Sequence, residues 1–366
     1  MKAAVLSQMG GRLAIEAIPT PQPKAGEVLV KVAACGVCHT DLHVIKGEVK
    51  FPLPGVLGHE ISGVVEATAA DVKTVRPGDA VVCSFIMPCG VCHFCVRGRD
   101  DLCETFFAMN RLKGTLYDGQ SRLRRSDGSP LAMYSMGGLA EYAVVPATDV
   151  FRAPDNVPLT DACIVGCAMM TAYGALKNQA RVQPNESIAV VGTGGVGSNV
   201  IQLGKAFGAG QIIAVDIRDD KLAAARELGA THGVNAAQGD PVAEVLAITG
   251  GHGVDVAIEA LGRSETVVNA FMMTRDGGRV VVVGIAPGTT TAGIEITRLV
   301  RRGIHLIGSY GSRVRTDMPD VLGMAAHGLV SPSRVITRRY PLEQVDDAYD
   351  ALNRGEIVGR GIVTMA

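Results

Sequence analysis

The chain has 366 residues, 47% of them apolar, which is long for one core and comfortable for two domains. Its formal net charge of −1 excludes a global pull toward nucleic acid or an anionic membrane surface, and no apolar run approaches the ~18 residues of a spanning helix. Trp is absent, aromatics are few, and the 45 glycines fall in short strand-to-turn phrases, so aliphatic packing and tight turns are expected rather than disorder.

The N-terminal MKAAVLSQMGG carries too short an apolar run for a signal peptide, and a cytoplasmic location is the simplest expectation. In a reducing compartment the nine cysteines are expected as metal ligands, nucleophiles or small core residues. Cys35, Cys83 and Cys163 read as core. The first stretch with chemistry is CGVCHTDLH, residues 35–43, followed by LGHE at 57–60 and, much later, IVGCAMMTAYG at 164–174. Cys38, His59 and Cys167 would make a Cys2His set with its fourth position open, the arrangement of a catalytic zinc. Spacing alone does not pair ligands so far apart.

Next comes PCGVCHFCVRGRDDLC, with Cys89, Cys92, Cys95 and Cys103 in the pattern C-x2-C-x2-C-x7-C. Four thiolates close a zinc tetrahedron and leave no place for substrate, so this lobe, residues 86–104, reads as structural. A nucleic-acid-binding zinc ribbon is the alternative; it would want a basic face, but Asp100, Asp101 and Glu104 offset Arg97 and Arg99.

Residues 187–200, SIAVVGTGGVGSNV, run from an apolar strand through Gly192-x-Gly194-x-x-Gly197 into a helix. Glycines there permit a tight turn and close approach to a pyrophosphate, which the helix N-terminus favours. The next strand, QIIAVD, ends in Asp216, 19 residues after Gly197. An acid there accepts from the adenosine ribose hydroxyls and repels a 2′-phosphate, which favours NAD over NADP. Lys221 is a candidate for the ribose or a solvated helix residue. VDVAIEALG and GRVVVVGIAPG read as further buried parallel strands.

Taken together, GVCHTDLH, GHE, the four-cysteine run, GTLYDGQSRL, AEYAVVP, GTGGVGSNV and the terminal GRG resemble the zinc-dependent medium-chain alcohol dehydrogenases over essentially the whole chain. Segment 104–137 is similar to the longer loop of the horse-liver-type and glutathione-dependent classes. The resemblance implies an α/β fold: a Rossmann doubly wound parallel sheet at 169–310, and a discontinuous, mainly β, GroES-like catalytic domain at 1–168 and 311–366. It implies two zinc ions per chain, a catalytic one on Cys38, His59 and Cys167 and a structural one on Cys89, Cys92, Cys95 and Cys103. It makes Asp41 the carboxylate orienting the zinc histidine, Glu60 the glutamate behind the metal, and Thr40 and His43 the proton relay, acting through the nicotinamide ribose. It assigns NAD contacts to His39, Thr171, Gly192, Gly194, Gly195, Val196, Gly197, Asp216 and Arg360. Phe85, Leu139 and Ile285 become pocket residues.

The function implied is NAD-linked interconversion of primary alcohols, medium-chain or aromatic, with aldehydes by hydride transfer. A thiol-dependent (glutathione or mycothiol) formaldehyde dehydrogenase is the alternative. Its basic carboxylate-binding residue has no match in CETFFAMN, where Phe106 and Phe107 are uncharged, though RLK at 111–113 lies close. A non-catalytic zinc- or nucleotide-binding protein on the same fold is a third reading. The partners expected are a small alcohol or aldehyde and further copies of the chain, as a homodimer or homotetramer pairing through the strand near residues 304–310.

Overall fold

The computed structural model describes residues 1–365, which divide into two compact units: residues 1–170 with 313–365, and residues 171–312. The first unit is built around the strand Glu27–Val37, EVLVKVAACGV. Its valines suit a pleated backbone covered on both faces, and the strand is buried almost throughout. It pairs antiparallel with Ile61–Thr68, with Tyr142–Pro146 and with Arg360–Thr364, so the end of the chain closes onto its beginning. These strands belong to a seven-stranded sheet, and a five-stranded sheet forms from Lys2–Leu6 and its neighbours. The amphipathic helix Val345–Asn353 buries Val345, Ala348, Tyr349 and Leu352 on one side.

The second unit is the doubly wound sheet expected from sequence. Six strands are all parallel, in the spatial order His232–Asn235, Gln211–Asp216, Ser187–Val191, Val254–Glu259, Thr274–Val282 and His305–Gly308. Helices such as Gly195–Ala206 and Asp219–Leu228 make the crossovers that parallel pairing requires. The interior strands are runs of Val, Ile and Ala because both faces are covered. His305–Gly308 is the sheet edge and is largely exposed, Leu306 included. Among the described residues, no single helix is long and apolar enough to cross a membrane.

Candidate active site

Strand Glu27–Val37 runs into Cys38, and the short helix His39–Ile45 starts directly after it. Cys38 holds the cap position in extended conformation, yet its sulfur makes no capping bond. Its Sγ stands 3.6 Å from Thr40 Oγ1. His59 and Glu60 precede the strand Ile61–Thr68, and Cys167 follows the tight turn Cys163–Gly166. Cys38, His59, Glu60 and Cys167 bring one donor atom each to within 4.8 Å of one another, all buried. Two glycines make room for this convergence. A Cβ on Gly36 would collide with the Glu60 carboxylate, and one on Gly58, at φ +94°, would lie 2.6 Å from the Leu139 nitrogen.

Asp41 is fully buried and accepts three hydrogen bonds: from the Gly58 N–H (3.0 Å), from His59 Nδ1 (3.1 Å) and from the Tyr349 hydroxyl (3.1 Å). An ionised carboxylate can only accept, so in a neutral imidazole the proton sits on Nδ1 and Nε2 presents its lone pair. That Nε2 is buried and has no hydrogen-bond partner. Burial opposes a charged imidazole here, but Asp41 and Cys38 outweigh it and push its pKa up to about 9. Cys38 moves the other way: a hydrogen bond from Cys167, with Arg360 and His59 nearby, holds it well below the usual thiol range despite burial. The site thus calls for added positive charge, and its thiolate, second thiol and imidazole are donors that suit zinc. Glu60 stands at the same set, its Oε1 3.9 Å from His59 Nε2. It is also ion-paired with Arg360, whose Nε donates to it at 3.0 Å. Arg360, assigned by resemblance to the pyrophosphate, is buried in that pairing.

Thr40 and His43 lie three apart on one helix, so they share a face that runs from the donor set outward. His43 is partly exposed and paired with Glu48, whose carboxyl that hydrogen bond holds below its usual range. His39 is exposed at the helix start. Phe85 is buried with its ring centroid 6.0 Å from that of His59, and Leu139 is fully buried against Gly58. The Tyr134 ring stands at 6.1 Å from the same imidazole.

The four-cysteine lobe is built differently. Cys89, Cys92, Cys95 and Cys103 also gather within 4.8 Å. Their sulfurs accept backbone N–H bonds: Cys103 from Cys89 (3.3 Å) and Phe106 (3.4 Å), Cys89 from Cys92 (3.3 Å), and Cys92 from Cys95 (3.5 Å). Burial raises Cys92, but hydrogen bonds from the Cys95, Glu104 and Phe94 amides and from the Cys95 thiol outweigh it and draw it down to about 6, while burial pushes Cys103 up to about 11 against the amides of Cys89 and Phe106. Crowded thiols that divide their protons this way fit a dication. None of the nine cysteines forms a disulfide.

In the second unit Gly192, at φ +89°, ends the first strand's turn, and a Cβ on Gly197 would strike the Gly192 carbonyl. Gly194 caps the helix Gly195–Ala206 with nothing within 4 Å of its missing Cβ. The chain's own packing does not demand that glycine; open space at a helix N-terminus is a cradle for a pyrophosphate, so the residues fit a dinucleotide. Asp216 is buried and accepts from Thr193 N–H (2.9 Å) and Oγ1 (3.0 Å), tying the glycine turn to the second strand. Val196 lies in the helix's first turn, Thr171 is buried, and Lys221 is half-buried on the next helix. Ile285 is 44% exposed, its backbone against Gly262.

Three side chains at the site escaped sequence reasoning. Tyr349, Glu48 and Tyr134 carry no motif, and Tyr349 reaches Asp41 across a sequence separation of 308. The only trace of Tyr349 in the sequence is its place on the inner stripe of an amphipathic helix.

Two families match the chain: the alcohol dehydrogenase GroES-like domain at residues 24–155 and the zinc-binding dehydrogenases at 195–327. An alcohol dehydrogenase zinc-binding domain protein from Burkholderia ambifaria is 35% identical, covers 100% of this chain and 98% of its own, and superposes with a TM-score of 0.93. Benzyl alcohol dehydrogenase from Acinetobacter calcoaceticus is 31% identical, with coverage of 100% and 99% and a TM-score of 0.93. An NAD-dependent alcohol dehydrogenase is 28% identical, with coverage of 100% of both chains and a TM-score of 0.86.

Proposed function

This chain belongs to the zinc-dependent medium-chain alcohol dehydrogenase family, and from that premise we propose that it oxidises primary alcohols, medium-chain or aromatic, to aldehydes with NAD, and reverses the reaction. The observation that carries the proposal is the buried convergence of Cys38, His59 and Cys167 around an unpartnered imidazole nitrogen, with a hydroxyl and a second histidine leading away from it. Zinc, held by these three residues, supplies Lewis acidity that lowers the pKa of a substrate hydroxyl. NAD, held at the Gly192–Gly197 turn with Asp216 at its ribose, supplies the hydride acceptor.

The chain's own residues do the rest. Asp41 fixes the tautomer and tilt of His59. Thr40, beside Cys38, would accept the substrate's proton as it gives up its own hydroxyl proton in the direction of His43, which with its partner Glu48 exchanges a proton with solvent. Phe85 and Leu139 give the donor set an apolar flank, which suits an alkyl or aryl chain better than a charged one, as the name of the Acinetobacter relative also suggests. The four-cysteine lobe holds the second zinc. The exposed edge His305–Gly308 pairs two copies into a dimer, alone or as half of a tetramer.

The test is absorbance at 340 nm with zinc-loaded protein and NAD, on ethanol, hexanol, benzyl and cinnamyl alcohols, 2-butanol, and formaldehyde with and without glutathione or mycothiol. Turnover of hexanol and the aromatic alcohols, with two zinc ions per chain by metal analysis, is expected. Turnover only of formaldehyde with thiol would overturn the substrate assignment; none at all would overturn the proposed activity.

A further inference from the structure

Residues 84–88, Ser-Phe-Ile-Met-Pro, connect the strand Ala80–Cys83 to the first cysteine of the lobe. They carry Phe85 to the catalytic donor set. They are buried, yet they belong to no strand or helix, so no ladder satisfies their backbone. One backbone bond anchors them, from Phe85 N–H to the Gly166 carbonyl at 3.0 Å. Side chains meet five more groups. Asp149 Oδ1 accepts from Ser84 N–H (3.2 Å) and Ser84 Oγ from Ile86 N–H (3.3 Å). The Phe85 carbonyl accepts from Ser135 Oγ (2.8 Å), the Met87 carbonyl from the Tyr117 hydroxyl, and the Pro88 carbonyl from Thr148 Oγ1 (2.5 Å).

Ser135 is the telling residue. It is fully buried at φ +54°, where a non-glycine side chain is strained by about 1 kcal/mol. Glycine would relieve that strain but lacks the hydroxyl that reaches Phe85. The Ser135 carbonyl is in turn held by Asn110 Nδ2 at 2.8 Å, and Asn110 is fully buried in the π-helical turn Phe106–Arg111. Tyr117 follows in the same excursion. Segment 104–121 thus grips the Phe85 segment twice, at Met87 directly and at Phe85 through Asn110 and Ser135.

We propose that Ser135 and Tyr117 are positioning residues that fix Phe85 beside His59, so that the excursion after the cysteine lobe sets which alcohols fit. The inference rests on the proposed function in one respect: that Phe85 borders the substrate. A side chain whose backbone shifts by a fraction of an ångström changes the fit of a long substrate more than that of a short one. Discrimination between them is therefore the quantity to read.

The experiment compares Ser135→Ala, Tyr117→Phe and Thr148→Val in zinc-loaded protein. Each loses one hydroxyl from the same segment, but Thr148 acts at Pro88, on the lobe side. The kcat/KM ratio of benzyl alcohol to ethanol is expected to fall about tenfold in the first two variants, carried by the KM of benzyl alcohol, with kcat on ethanol within about twofold. Thr148→Val is expected to keep the wild-type ratio. An unchanged ratio in the first two, with Tm lowered alike in all three, would overturn the inference. Should Ser135→Ala fail to fold, Tyr117→Phe decides. Should the wild type turn over no alcohol, the proposed function has failed on its own terms. Calorimetric binding of benzamide then replaces the ratio: about tenfold weaker binding in the first two variants supports the inference, and equal affinities overturn it.

Discussion

The two cysteine-rich donor sets solve the same problem by opposite means. The lobe draws all four thiols from one fifteen-residue loop and steadies them with backbone N–H groups of that loop. The buried set draws Cys38, His59 and Cys167 from three distant segments and steadies them with Asp41, Tyr349, Glu60 and Arg360. A local set carries its own electrostatics; an assembled one borrows them from the fold. On the proposed function the first would be a scaffold and the second the place where a position for substrate is held open.

The sharpest way to break this contrast is to remove one ligand from each set. Cys38→Ser is expected to lower turnover of benzyl alcohol by about 10³-fold or more, since a metal's Lewis acidity contributes several kcal/mol to such a step. Metal analysis should show one zinc lost and circular dichroism should be unchanged. Retained turnover would remove the buried set from the chemistry. Cys95→Ser is expected to act on stability instead: zinc at the lobe is lost, Tm falls by about 10 °C, and proteolysis opens the chain within residues 89–103. Comparable losses of turnover per folded molecule in both variants would erase the distinction.

A smaller effect sharpens it. Tyr349→Phe deletes one of the three donors on a fully buried carboxylate. Zinc at the buried set should bind about tenfold more weakly, by competition with a chelator, while the lobe's zinc is unaffected. Activity should return when zinc is in excess. Equal weakening at both sets would mean that Tyr349 supports the fold rather than the donor histidine.

The same contrast explains what was legible in the sequence. Cys89, Cys92, Cys95 and Cys103 announce themselves because their geometry is local, so spacing encodes it. The doubly wound sheet was legible for a similar reason: each buried strand is a short apolar run, and the glycine turn lies beside Asp216's strand in the chain as well as in space. Cys38, His59 and Cys167 could be grouped by ligand type, but spacing did not pair them, because no local pattern records that strand Glu27–Val37 ends near the turn Cys163–Gly166. Tyr349 and Ser135 were not legible at all. A tyrosine on a helix's inner stripe reads as core, and a serine's left-handed backbone leaves no mark in a sequence. Arg360 was assigned to the pyrophosphate by resemblance, and its pairing with Glu60 had no mark in the sequence.

The last prediction concerns Asp149, whose carboxyl meets the Ser84 backbone N–H. It is fully buried, its Oδ1 accepts from the Ser84 N–H, and its Oδ2 has no partner. Burial pushes its carboxyl well above the usual range; the Ser84 amide opposes this weakly, and neighbouring Asp100 adds to it. Asp100 differs in having the Arg315 guanidinium at 2.8 Å, so the two buried acids again contrast a carboxyl with a cationic partner and one without. A raised folded pKa means that the folded chain keeps a proton which the unfolded chain has released. The stability this contributes is complete below the ordinary carboxylate pKa of about 4 and is lost as pH rises toward the folded pKa, at up to about 1.4 kcal/mol per pH unit. Asp149→Asn keeps the acceptor for Ser84 and has no proton to lose. Calorimetric Tm values for variant and wild type should therefore lie close together near pH 5 and separate toward pH 8, with the variant the more stable. Parallel curves across that window would show that Asp149 is ionised in the fold and that a partner for its Oδ2 exists in solution.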